Sequence, residues 1–102
     1  MNNGLVAIPE NGVPQPLTTL GPGEIRHSRP QALPGGDHIL FMTITKMGIG
    51  SVEVVEIASG QCRQVLPPNQ AYTHAKYSHS GHLLFVRDGN LFAVPFESVA
   101  RW

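Results

Sequence analysis

Apolar positions in this chain gather into short runs interrupted by glycine and proline, and nowhere recur at the three-to-four-residue spacing of an amphipathic helix. Runs of about four to eight residues, rich in Val, Ile, Leu, Phe and Thr, alternate with turn signals, which is the pattern of short strands in an all-β protein. Strands are predicted near 4–8, 14–19, 28–33, 38–45, 51–58, 62–66, 73–78, 82–87 and 90–96. Pro34-Gly35-Gly36-Asp37 and His79-Ser80-Gly81 each precede an apolar run. Glu10-Asn11-Gly12, Ala58-Ser59-Gly60 and Asp88-Gly89-Asn90 supply residues that tolerate positive φ, as tight hairpins require. Gly89 and Pro95 exclude a helix over 82–96, because proline removes a helical hydrogen bond and glycine weakens a helix interior. The connections therefore read as antiparallel hairpins.

The chain also repeats itself. GLVAIP at 4–9 matches NLFAVP at 90–95, with Leu5/Leu91, Ala7/Ala93 and Pro9/Pro95 identical, and HILFM at 38–42 matches HLLFV at 82–86. SVEVVEIASGQCRQVL at 51–66 reads as a middle copy of GLVAIPENGVPQPL at 4–17. The offsets are uneven because 44–50 is read as a longer loop than its counterpart 87–89. A period in the low forties with four short strands per unit is the signature of a β-propeller blade.

RPQALPGGDHILFMT and KYSHSGHLLFVRDGNLFAVPF resemble the repeats of TolB-like, WD-type β-propellers, and the likeness runs through nearly the whole chain, from about Gly4 to Phe96. Such blades occur in TolB-like proteins, in front of prolyl-oligopeptidase-type hydrolases and behind bacterial serine/threonine kinase domains. The sequence departs from the stricter pattern where Gly35 stands in place of the usual Asp and where no aspartate follows Ser78. The resemblance implies a fold and says almost nothing about activity. The expected architecture is all-β, with antiparallel four-stranded β-propeller blades, about two per chain, in a single region over 1–102. With strands lettered A to D outward from the channel, 4–19 read as C-D, 28–66 as a complete blade, and 73–96 as a blade lacking its outer strand. On that reading the apolar runs 83–86 and 91–94 are middle strands covered on both faces by neighbouring blades.

Composition sharpens the consequence. The chain has 102 residues, enough for one modest core, and only 14% are charged, against roughly 25% in an ordinary domain. A blade cannot bury its own faces, and closed propellers need about four to eight of them. The chain is therefore expected either to self-associate, with a trimer of two-blade chains favoured, or to be joined to the rest of a longer propeller as a fragment of a larger TolB-like protein. Net charge is zero, which excludes the basic stripe that nucleic acid or an anionic membrane would call for. No signal peptide or membrane-length apolar run is visible, so the default compartment is the cytoplasm. Cys62 stands alone, which rules out an intrachain disulfide.

Candidate chemistry is thin. His27, His38, His74, His79 and His82 lack the spacing of a converging zinc set, and His38 and His82 open equivalent strands, which points to structural work. Ser28, Ser78 or Ser80 with a histidine and Asp37 or Asp88 would be needed for a triad, but no nucleophile-elbow motif is present. Gly35-Gly36 and Gly48-Ile49-Gly50 lack the following Lys-Ser/Thr of a phosphate loop. Cys62 is expected to be an inert, half-buried thiol. No catalytic residue, cofactor or metal is expected. Phe41, Phe85, Phe92 and Phe96 read as packing residues, whereas Tyr72, Tyr77 and the terminal Trp102 are candidate interface residues. The leading function is a non-enzymatic scaffold presenting 45–51 and 67–72 to a protein or peptide. The alternative is an oligomeric binder of a small ligand or carbohydrate, stacking it on Tyr72, Tyr77 or Trp102.

Overall fold

A computed structural model describes residues 4–99 apart from Pro9 and Asn11, and the side chains of Ser98 and Val99 are not considered. Nine strands are present: β1 (Val6–Ala7), β2 (Gln15–Pro16), β3 (Glu24–Ala32), β4 (His38–Thr45), β5 (Gly48–Glu56), β6 (Cys62–Gln64), β7 (Tyr72–Tyr77), β8 (His82–Arg87) and β9 (Asn90–Pro95). One turn of helix, α1 (Phe96–Val99), follows. Among the described residues no helix is long and apolar enough to cross a membrane.

The strands form three antiparallel sheets, each in chain order: β1-β2, β3-β4-β5-β6 and β7-β8-β9. Every neighbouring pair is antiparallel, so the protein is an all-β stack of meanders. The strands of the three sheets run over residues 6–16, 24–64 and 72–95. The described residues do not close into a ring, and the extents are 41 × 32 × 20 Å.

Alternation along the strands decides what each sheet covers. In β4 and β5, Leu40 pairs with Val54 and Met42 with Val52, which places these four on one face. All four are at most 1% exposed and form one core with Tyr72, Ala75, Leu83 and Phe85 of the third sheet. Phe85 is the centre of the opposing face, with Phe92 stacked on it at 5.0 Å and Tyr72 edge-on at 5.6 Å. Gln31 stitches the two sheets at one rim. Its side chain accepts from Tyr77 N–H and donates to Tyr77 C=O, both at 2.8 Å. The opposite face of the middle sheet carries Phe41 and Val55, both fully buried, toward the β1-β2 hairpin.

Several sequence expectations need correction. The segment 44–50 is no long loop: β4 runs to Thr45, β5 begins at Gly48, and only Lys46 and Met47 turn. Thr45 makes this possible, its hydroxyl donating to Gly48 C=O and accepting from Met47 N–H, while Gly48 takes φ 113°. The extra residues therefore lengthen both strands, and 45–51 is a hairpin tip followed by strand. β3 starts at Glu24, four residues before the expected 28, because it follows the elongated β4. The strands near 4–8 and 14–19 shrink to two residues each. Phe96 opens α1 instead of ending a strand, its N–H donating to Gly81 C=O. Among the described residues the runs 83–86 and 91–94 are covered on one face, no further sheet lying beyond β7-β8-β9.

Leu83 and Leu91 give a direct comparison, being 0% and 70% exposed. Leu83→Ala should cost about 2–5 kcal/mol, and Leu91→Ala in dilute monomer within about 0.5 kcal/mol of nothing. Urea unfolding followed by circular dichroism reads both. Equal losses would contradict this layering.

Candidate functional site

The β7-β8-β9 sheet presents one apolar face that no other sheet covers among the described residues. Leu84 pairs with Ala93 and Val86 with Leu91, so these four side chains share the face opposite Leu83 and Phe85. Leu84 and Val86 are half-buried, Ala93 is exposed, and Leu91 stands 70% in solvent. His74 and Lys76, paired with Val86 and Leu84, place a polar border on the β7 side. Among the described residues the far edge of β9 has no strand beside it, unlike β5, whose edge is occupied by β6. Contiguous apolar surface of this kind marks an interaction site more often than scattered exposed leucines do.

Two clefts open at the rims between the middle and third sheets. One, of about 470 Å³, is bordered by His38, Tyr77, Ser80, His82, Phe96 and Glu97. The other, of about 520 Å³, is bordered by Arg26, Ser28, Arg29, Ile49, Tyr72 and Thr73. Tyr72 and Tyr77 thus lie at opposite rims of one inter-sheet seam. Tyr72 is 3% exposed, and its hydroxyl donates to Pro67 C=O at 2.7 Å. Burial raises its pKa above the ordinary 10.0, with Arg87 pulling the other way. Tyr77 is half-buried and meets the Phe96 ring edge-on at 5.4 Å. Trp102, the third candidate interface residue, lies outside the described residues.

The serine and histidine candidates separate. Ser78, Ser80 and His82 form an exposed chain, with Ser78 Oγ to Ser80 Oγ at 3.0 Å and Ser80 Oγ to His82 Nδ1 at 2.9 Å. Neither Asp37 nor Asp88 joins it in a hydrogen bond among the described residues. His38 stands 3.8 Å from the Glu56 carboxylate, and no group of three or more His, Cys, Asp or Glu converges among the described residues.

A buried polar relay was not legible in the sequence. Leu5 N–H donates to Thr18 Oγ1 at 2.7 Å, Thr18 Oγ1 meets His27 Nδ1 at 2.7 Å, and His27 Nε2 meets Glu24 Oε1 at 2.6 Å. Gly21 N–H also donates to that carboxylate oxygen. The Glu24 carboxylate only accepts, so His27 Nε2 carries the hydrogen of that contact, while the Thr18 hydroxyl, a donor as well as an acceptor, pairs with Nδ1. The atom types are those of a carboxylate–imidazole–hydroxyl triad, but the hydroxyl is 4% exposed and occupied on its acceptor side. The relay instead ties the β1-β2 hairpin to β3. A register shift between Glu24 and Arg26 brings Glu24 beside His27, and such bulges leave no simple trace in alternation.

No family model, curated protein or solved structure matches this chain. The geometry therefore carries the functional argument.

Cys62, expected to be half-buried, is exposed, because all of short β6 lies at the solvent edge of the middle sheet. Its thiol pKa is nevertheless raised above the ordinary 9.0, first by partial desolvation and then by the Glu53 and Glu24 carboxylates. A raised pKa means less thiolate at neutral pH. Alkylation by iodoacetamide at pH 7 should run several-fold slower than for free cysteine, and Glu53→Gln should speed it. A rate that levels off below pH 8 would contradict this assignment.

Proposed function

We propose that this chain is a non-enzymatic scaffold, a blade-type β-module of the TolB-like, WD-type kind that acts by associating through its open sheet faces. The uncovered stripe Leu84–Val86–Leu91–Ala93 carries the reading. A charge-poor chain with zero net charge gains little from keeping such a stripe in water, whereas burying it releases roughly 25 cal/mol for each Å² of apolar surface removed from solvent. The open β9 edge adds unpaired backbone donors and acceptors, a second incentive to association.

The packing of the two described seams supports a scaffold over a ligand binder. Tyr72 is committed to Phe85 and, through its hydroxyl, to Pro67, and the Tyr77 ring is committed to Phe96, so both rings are already engaged in packing. The same chemistry that joins these sheets within the chain is available to join chains, and cyclic association of three copies would supply the blades that one copy lacks.

Light scattering over a micromolar concentration range tests this. The molar mass should rise above the 11.0 kDa of one chain toward three times that value. A monodisperse 11.0 kDa particle that persists at the highest attainable concentration would overturn the proposal.

A further inference from the structure

Resting on the reading of the chain as a self-associating scaffold, the register identifies what covers the open face. In the middle sheet Leu40 opposes Val54 and Met42 opposes Val52; in the third sheet Leu84 opposes Ala93 and Val86 opposes Leu91. His38 and His82 begin the respective strands, so the two sets of four occupy identical places. The first set is at most 1% exposed because the third sheet lies on it, while Leu91 of the second set is 70% exposed. The surface that does the covering carries Leu83, Phe85, Phe92 and Val94, all in or against that core.

The chain carries part of that covering surface a second time. GLVAIP and NLFAVP align Leu5 with Leu91 and Ala7 with Ala93, which puts Val6 at the place of Phe92 and Ile8 at the place of Val94. Leu5, Val6 and Ala7 border a cavity of about 210 Å³ with Leu17, Ile39 and Ile57, and of the three Leu5 and Ala7 are half-buried while Val6 is exposed, as expected if the hairpin faces the middle sheet as the middle sheet faces the third. Val6 and Ile8 are then left outward, at 46% and 70% exposure. One end of the stack bears an uncovered face of the kind that becomes buried, and the other end bears an uncovered face of the kind that buries it.

We infer that a second copy of this chain docks head-to-tail, its Val6–Ile8 face seated on the Leu84, Val86, Leu91 and Ala93 face of the first. The contact continues the stacking already made twice within the chain. It is heterologous, so each copy offers one face and accepts the other, and the series ends only when the ring closes.

The test uses two variants of the whole chain, Leu91→Glu and Ile8→Glu. Each changes a side chain that is 70% exposed in the monomer, so neither buries a charge on folding; far-ultraviolet circular dichroism checks this, and Leu91→Ser with Ile8→Ser carries the same test should either glutamate unfold the chain. Each variant alone should be monomeric by light scattering. An equimolar mixture should form a one-to-one dimer and stop, because one intact face survives on each partner. An Ile8→Glu protein that assembles like the parent, or a mixture that stays monomeric, overturns the head-to-tail contact while leaving self-association intact. Assembly through two copies of the β8-β9 face or through the β9 edge would produce the first of these outcomes. A parent chain that never associates overturns the scaffold reading itself.

Discussion

The contact on which this structure depends is the burial of Leu40, Met42, Val52 and Val54 beneath Leu83 and Phe85. Neither sheet has another way to remove those side chains from water, and burying each fully is worth about 1.5–3 kcal/mol. The polar bonds follow from that contact. Once the sheets are stacked, Gln31 reaches the backbone of Tyr77 with both ends of its amide, and Tyr72 finds the Pro67 carbonyl. On the opposite side the Leu5–Thr18–His27–Glu24 relay performs the same service for the short hairpin, and no buried side-chain polar atom among the described residues lacks a partner. Apolar area supplies the energy and the hydrogen bonds fix the orientation.

That logic also explains why the chain looks unfinished at its ends. Stacking sheets bury one face at each step and expose another, so a linear stack always retains two open faces. Here those are the Val6–Ile8 side and the Leu84–Leu91 side, which carry Ile8 and Leu91, both 70% exposed; Met47 at a hairpin tip and Val13 ahead of β2 are the other strongly exposed apolar residues. The proposed scaffold function would use this arrangement, since open sheet faces and edges that endanger a solitary chain would become contacts in an assembly.

Much of the fold was legible because the responsible signals are local. Gly35-Gly36, Gly60, Gly81 and Gly89 all take positive φ at or beside turns the sequence marks, and the apolar runs at 38–42 and 82–86 became β4 and β8. The meander order of the sheets follows from short connections. What escaped was nonlocal. The two-residue turn at Lys46-Met47 depends on Thr45 bonding back to its own hairpin, and the pairing of Glu24 with His27 depends on a bulge. Cys62 appeared half-buried because β6 was expected to be a longer strand; at three residues it stays at the edge. Burial of 83–86 and 91–94 on both faces by neighbouring blades was expected from their composition; composition reports how many faces a strand is suited to bury, and the described residues of one chain cover one of the two. Tyr72 and Tyr77 illustrate the limit for sites: their identities suggested contact surfaces, and only the fold places them at the seam between two sheets.

Native-state hydrogen exchange tests the dependence of the sheets on their shared seam most directly. If the middle and third sheets hold each other up, the amides of Leu40, Val54, Leu83 and Phe85 will exchange with one common free energy, equal to that of global unfolding in the same buffer. Should the β7-β9 amides exchange through a separate, lower-energy opening while β4 and β5 stay protected, the third sheet would be an independent appendage and the stacked account would fail.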